Sequence, residues 1–416
     1  MIKLKTPILT LQNSFVLLIV SVLIFACSEK KPQRLYGIYD GKAWGYIDTA
    51  GKVIIPPNLS LAGAFQEGLA IVIDTSTYNT YCFINQNVDT VINSSEYALT
   101  RHPINMYPYH RTRINDKDFD DLSFARDEFS FSSGLALIYD IKTRLFGYIN
   151  KKGEVVIKPQ YTNATKFFRG YAVIQTSFDS TNWENFHVGL IDSLGKLVIP
   201  DKYYNLTRLS NNYLIGTLAT KQGEAYGFTS LLLNKKGEVI NTLLPGYMCL
   251  FNEFSGGYAA VWNGVMATIY KTPYCIIDST GNVFKNKENG QDLYFEDLII
   301  NRGKYFWCKR NGKYVWFTIN NKSNIVVVDN KFYDTVKSGF NIEGIACVRY
   351  ANSNGNSRYG YIDTLGNFLI TPRYHYANDF RGPLAGAQLK SGNILIDGYI
   401  NKKGTFVWSK EIRDKD

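Results

Sequence analysis

Along most of its length the chain alternates apolar runs of about four residues with polar, glycine-bearing breaks. Residues 44–55 (WGYIDTAGKVII) set the pattern. It returns in 146–174 (FGYINKKGEVVIKPQYTNATKFFRGYAVI) and in 359–380 (YGYIDTLGNFLITPRYHYANDF). Runs this short, rich in Val, Ile, Tyr and Phe, have the length of small strands rather than helices. Between two runs stands Asx-x-x-Gly. An Asp or Asn that opens a type I turn caps the backbone with its side chain, and a Gly at the fourth position accepts positive φ. The expected local structure is therefore a β-hairpin with a glycine bulge.

The turn recurs at Asp48/Gly51, Asn150/Gly153, Asp192/Gly195, Asn234/Gly237, Asp278/Gly281, Asp363/Gly366 and Asn401/Gly404. Its glycines repeat at about 42 residues, or about twice that where a copy has worn away. The worn copies fall at Phe83-Ile84-Asn85-Gln86-Asn87 and at Asn320-Asn321-Lys322-Ser323, where Ser takes the Gly slot. The recurring carboxylates are turn caps rather than general bases, because Asn occupies the same slot and an amide cannot take up a proton. Pro56, Pro159, Pro200 and Pro372 are expected to end the second strand of each hairpin, since proline cannot donate to a ladder. A Phe-x-x-Gly-x-Ala segment follows at Phe65/Gly68/Ala70, Phe131/Gly134/Ala136, Phe167/Gly170/Ala172 and Phe254/Gly257/Ala259, opening a third strand.

These features together resemble the bacterial WG-repeat family, named for a Trp-Gly at the head of each unit. Trp44-Gly45 keeps the pair, while Phe146-Gly147, Val188-Gly189, Tyr226-Gly227 and Tyr359-Gly360 vary its first residue. The resemblance covers most of residues 36–408 and departs at 93–127 and 284–310. It implies a β-repeat architecture with no common enzymatic activity and no catalytic residue to carry over. The expected fold is all-β: an array of about nine short antiparallel units forming a propeller-like ring or strongly curved array, with an extended β-solenoid as the alternative. About three strands per unit suit a four-stranded blade poorly. Both ends carry the same hairpin (44–55 and 398–408), so neither offers an obvious partner to close a ring.

The N-terminus changes the picture of where the chain works. Lys3 and Lys5 precede an apolar run at 15–25 that is short for a membrane span. The run ends in Leu23-Ile24-Phe25-Ala26-Cys27, which resembles a lipobox, although Phe25 is bulky for that motif. The expected organisation is a lipoprotein signal peptide at 1–26, a lipidated tether at 27–35, a repeat domain at 36–410 with an insertion at about 93–127, and a tail at 411–416. Acylation of Cys27 would anchor the chain to a bacterial envelope membrane, with the outer membrane favoured and the facing left open.

Composition adds mainly exclusions. The net charge of +10 is spread through turns rather than gathered in a block, which disfavours nucleic acid as a partner. The other cysteines, Cys82, Cys249, Cys275, Cys308 and Cys347, are odd in number and contain no CxxC, so they form neither a disulfide framework nor a zinc site. His102, His110, His187 and His375 lack ligand spacing. No cofactor or metal is expected, and the DKDFDD stretch at 116–121 lacks the Gly and Glu of a calcium loop. The one locally basic, aromatic stretch is RHPINMYPYHRTR in the insertion, so Tyr107, Tyr109, Arg111 and Arg113 are the candidate ligand contacts. The expectation is a non-enzymatic, membrane-anchored repeat protein that binds an envelope protein or a glycan, in an undetermined oligomeric state. The alternative is a glycan or cell-wall hydrolase, which would need convergent carboxylates; Asp127, Glu128, Glu184 and Glu253 are available, but nothing groups them.

Overall fold

The structure is a computed structural model. It describes most of residues 34–413; residues 1–33, 94–128 and 414–416, with short stretches between strands, lie outside the described residues. Nearly every described element is a strand or a turn. The first strands are β1 (Tyr36–Tyr39), β2 (Trp44–Ile47), β3 (Val53–Ala62), β4 (Ala70–Asp74), β5 (Tyr81–Ile84) and β6 (Thr90–Asn93). Next come β7 (Leu135–Asp140), β8 (Leu145–Asn150) and β9 (Val155–Tyr161), then β10 (Asn163–Ala164), β11 (Tyr171–Ser177), β12 (His187–Asp192) and β13 (Leu197–Tyr203). Strands pair in chain order, and from β10 onward they form six four-stranded antiparallel sheets. β1–β6 hydrogen-bond as one sheet, but β3 serves two hairpins: residues 53–59 pair with β2 and residues 59–62 with β4. Counted this way, the described strands form nine blades.

The strand count differs from the sequence expectation. A full blade has four strands, because a short first strand lies between the proline and the Phe-x-x-Gly segment. In one blade it is only Asn163–Ala164, and in the last only Tyr376–Ala377. Two residues carry no periodicity, so they do not register as a strand in sequence. The objection to a four-stranded blade falls with this correction.

The prolines also behave differently from expectation. Pro56 lies inside β3, Pro159 inside β9, Pro200 inside β13 and Pro372 inside Phe368–Tyr374, none of them at a strand end. The ladder shifts register there instead: Tyr148 pairs with Ile157, while Phe146 pairs with Tyr161. The missing N–H is accommodated in a bulge rather than by ending the strand. The bulge folds over the glycine of the WG slot. A Cβ on Gly147 would stand 2.5 Å from the Ile157 carbonyl oxygen and 2.7 Å from Pro159 N. On Gly360 it would stand 2.6 Å from Ile370 O and 2.7 Å from Pro372 N. The repeat keeps glycine in this slot because neighbouring backbone fills the space of a side chain.

Three blades are locked to the next by one recurring contact. The tyrosine after the WG glycine donates its hydroxyl to a carbonyl in the following blade: Tyr46 to Gly63 at 2.6 Å, Tyr148 to Thr165 at 2.7 Å, and Tyr361 to Asn378 at 2.7 Å. The same rings pack edge-on or tilted against the phenylalanine that precedes the next first–second turn, with centroids 4.9 Å apart for Tyr46–Phe65 and 4.7 Å for both Tyr148–Phe167 and Tyr361–Phe380. Burial pushes the Tyr148 hydroxyl far above the ordinary tyrosine range, with Tyr161 adding to the effect, so it remains a donor.

The same contact joins the last blade to the first. Tyr399 donates to Gly37 O at 2.9 Å, and its ring meets Tyr36 with centroids 5.5 Å apart. Tyr36 also donates to Arg381 O at 2.8 Å, and Lys410 Nζ to Tyr39 O at 2.7 Å. Tyr36, Ile38, Ile47 and Leu384 share a core there. The described strands of the compact unit 35–416 therefore close into a propeller-like ring, and the extended solenoid is excluded. Where the sequence showed no partner for either end, side chains make the seam. The last strand, Phe406–Arg413, also runs three residues into what sequence assigned to the tail.

One worn turn is strained. Val88 takes the glycine slot of the Asn85 turn at φ 72°, a region costly for a β-branched residue. Val88→Gly is expected to stabilise the domain by about 1 kcal/mol, read as a higher urea midpoint. An unchanged or lower midpoint would contradict the strain. The other worn turn, at 320–323, lies outside the described residues.

Candidate binding face

Up-and-down order sorts the connections onto two faces of the ring. The first–second and third–fourth strand links lie on one face, and the second–third links lie on the other. The third–fourth links are near-identical. In eight of them the Asx Oδ1 accepts backbone N–H bonds from the residues two and four further on, such as Ala50 and Lys52 onto Asp48 at 2.9 Å each. Asn85, Asn150, Asp192, Asn234, Asp278, Asp363 and Asn401 repeat this. All seven glycines named from the sequence have positive φ: 86° at Gly51, 82° at Gly153, 79° at Gly195, 81° at Gly237, 84° at Gly281, 81° at Gly366 and 75° at Gly404. Burial pulls the Asp363 carboxyl upward, but the bonds from Asn367, Leu365 and Gly366 prevail and hold it below the ordinary range. These carboxylates are spread one to a blade around the ring, each turned into its own backbone. Among the described residues no shared cavity gathers them.

The turn glycines have a second task that sequence reasoning missed. Beyond bending the backbone, they let one blade approach the blade before it. A Cβ on Gly237 would stand 3.1 Å from Ile199 Cγ1, and one on Gly281 would stand 3.1 Å from both Asn241 Cβ and Leu243 Cδ2. The Gly281 turn is tied across the same gap by Asn241 Nδ2, which donates to Thr280 O at 2.8 Å. The sites named as local turns are therefore interface positions as well. Their partners lie about 40 residues upstream, too far away in the chain for the turn motif to record them.

The first–second links on this face include two-residue turns with consecutive positive φ, at Glu67-Gly68, Ser133-Gly134 and Arg169-Gly170. They reach the neighbouring blade: Lys151 pairs with Glu67 at 3.2 Å, Lys402 with Glu343, and Gly170 N donates to Ser133 Oγ at 2.9 Å. This turn face is a repeated, self-engaged surface.

The opposite face is variable. Its second–third links run from two residues at 392–393 to ten at 264–273, and the insertion that follows β6 leaves from the same side. Half-buried aromatics cluster at this end of the blades. Tyr39 and Trp44 pack with centroids 5.2 Å apart, and Lys410 sits 5.0 Å from the Tyr39 ring. Tyr204 bridges Phe186 at 4.9 Å and Phe228 at 5.1 Å. At the junction of the last two blades Lys337 lies 4.1 Å from the Tyr376 ring and 5.5 Å from that of Tyr359, and donates to Tyr376 Oη at 2.9 Å. Such rings offer apolar faces with polar tips to a partner or a sugar. Sequence reasoning missed these groups because each draws members from separate segments of the chain, as Lys410 joins Tyr39 and Lys337 joins Tyr376.

Other sequence candidates fall elsewhere. Tyr107, Tyr109, Arg111, Arg113 and Cys27 lie outside the described residues, as do Asp127, Glu128, Glu184 and Glu253. Among the described residues no group of His, Cys, Asp and Glu could hold a metal ion. Cys275, Cys308 and Cys347 are buried thiols. Burial first, and Asp379 second, push the Cys347 thiol well above its ordinary range, against an opposing pull from Lys337. A thiol held protonated in this way packs rather than attacks.

The family of WG containing repeats matches residues 44–74, 146–176 and 359–393. The chain carries WG repeats. Each matched segment holds the glycine, the turn and the proline bulge intact. The turns of Gly195, Gly237, Gly281 and Gly404 fall outside the matched segments, although their backbone geometry is the same. The blades of Gly237 and Gly281 have no proline in the fourth strand, and the slot before the Gly281 hairpin holds Cys275 in place of glycine. A comparison with curated proteins finds no sequence match to this WG-repeat chain. Among solved structures, the crystal structure of a eukaryotic initiation factor is similar at a TM-score of 0.53 and 10% identity, covering 92% of this chain and 97% of that one. TolB from Acinetobacter baumannii gives 0.27 and 14% identity, covering 67% and 75%. A puromycin hydrolase mutant gives 0.34 and 9%, covering 89% and 59%. At these identities the first supports the fold alone, and the other two carry no argument.

Proposed function

We propose that this WG-repeat chain is a non-enzymatic, lipid-anchored scaffold whose variable face binds an envelope protein or a glycan. One observation carries the reading: links of two to ten residues lie beside clustered half-buried aromatics on one face, while the third–fourth turns of the other repeat a single motif. A rigid ring that holds irregular loops together on one side is a recognition architecture, because loops tolerate change that the blades do not. The aromatic groups on that side supply adhesive surface.

The test is capture from envelope extracts and binding to purified cell-wall glycans by the chain and two variants. Tyr39→Ser with Trp44→Ser alters the variable face, and Lys235→Ala with Lys236→Ala alters the turn face. Melting curves should establish first that both variants fold. Capture is expected to fall at least several-fold for the first and to be unchanged for the second. Equal capture by the two would refute the assignment of the face.

A further inference from the structure

The described chain enters the ring on the turn face. Leu35 is buried in the first blade's core, and Tyr36 pairs with Ile47, the residue just before the Asp48 turn. From Cys27 to Arg34 there are eight residues, which span at most about 28 Å when fully extended. If Cys27 carries the lipid, the turn face lies within that reach of the bilayer. We propose that the turn face rests against the lipid headgroups of the anchoring membrane and that the variable face points away from it. This rests on the anchoring part of the proposed function.

The surface chemistry of the turns fits such a neighbour. Among the two central residues of each described third–fourth turn every charge is positive, and all six of these lysines are exposed: Lys151, Lys152, Lys235, Lys236, Lys402 and Lys403. Lys151 and Lys402 are engaged by Glu67 and Glu343, which leaves the other four directed outward. The carboxylates sit at the base of the turns: Asp48, Asp192, Asp278 and Asp363 accept backbone N–H groups, while Glu154 and Glu238 hold the Asn150 and Asn234 amides. Two further turn tips are apolar. Leu194 is 83% exposed and Leu365 is 72% exposed, the two most exposed large hydrophobic residues among those described. Lysines with protruding leucines match a headgroup layer, which offers phosphates at the surface and acyl chains beneath.

The test uses the full lipidated chain in vesicles of phosphatidylethanolamine and phosphatidylglycerol, with amine acylation read lysine by lysine by mass spectrometry. Both faces carry exposed lysines, so the comparison is internal. Relative to detergent solution, Lys152, Lys235, Lys236 and Lys403 are expected to label several-fold more slowly, with Lys42 and Lys142 on the variable face unchanged. Protection of Lys42 and Lys142 instead, or of neither set, overturns the orientation. The mass of the N-terminal peptide is read in the same sample. An unacylated Cys27 sinks the anchoring reading and the orientation with it, whereas an acylated chain with unprotected turn lysines sinks the orientation alone.

Discussion

Gly147→Ala and Gly360→Ala are each expected to cost about 3 kcal/mol, lowering the urea midpoint with little change in slope. The added methyl would stand 2.5 to 2.6 Å from a carbonyl oxygen and 2.7 Å from a proline nitrogen, all of it backbone. A side chain could swing aside, but the proline bulge cannot move without opening the ladder that holds the third strand to the fourth. Two comparisons separate this cause from a general intolerance of alanine. Gly386 also sits within a strand, but its nearest neighbour would be Asn378 Nδ2 at 3.6 Å, so Gly386→Ala is expected to be nearly neutral. Gly68 has open space around it but φ 91°, so Gly68→Ala should lose only about 1 kcal/mol through backbone strain. Equal midpoints for Gly147→Ala and Gly386→Ala would show that the bulge does not set the glycine requirement.

This contrast shows which parts of the fold the sequence exposes. The Asx-x-x-Gly turn is legible because its chemistry is local. Asn150 Oδ1 and Gly153 φ need only their own five residues, so the pattern survives in seven copies, including those at Gly237 and Gly281 where the rest of the motif has drifted. The WG glycine is visible as a recurring letter, but its reason is not, because the atoms that exclude a side chain at Gly147 belong to Ile157, Lys158 and Pro159 across a register shift. The first strand of each blade is hidden for a different reason. Asn163–Ala164 pairs because the preceding bulge redirects the chain, not because its two residues prefer a strand. The variable face is the least legible, since Tyr204 meets Phe186 and Phe228 only after three separate segments converge. The turn face can be read from one repeat, whereas the binding face exists only in the assembled ring.

Gly51→Val is expected to open the ring at its seam. Gly51 in the first blade packs on the last: a Cβ there would stand 2.0 Å from Val407 O, at a backbone φ of 86°. Elsewhere the turn glycine meets side chain in the preceding blade, as a Cβ on Gly195 would meet Ile157 Cγ1 at 3.3 Å and one on Gly153 would meet Ile92 Cγ2 at 3.2 Å. The seam also differs in what resists separation. Between the first two blades, β3 is one continuous strand that carries the ladder from one blade to the next, while at the seam the Tyr36, Tyr399 and Lys410 side chains make the bonds. Each such bond contributes only about 1 kcal/mol, and a repeat array stays folded unit by unit when one interface is lost. The expected result is therefore a folded but longer molecule: far-ultraviolet circular dichroism close to wild type, a larger radius of gyration in solution scattering, and faster proteolysis near residues 35–51 and 398–413. Tyr399→Phe should move the same observables in the same direction by a smaller amount, and Tyr148→Phe, inside the array, should leave the radius unchanged. A Gly51→Val chain with wild-type scattering would mean that the ring is not held shut at this seam.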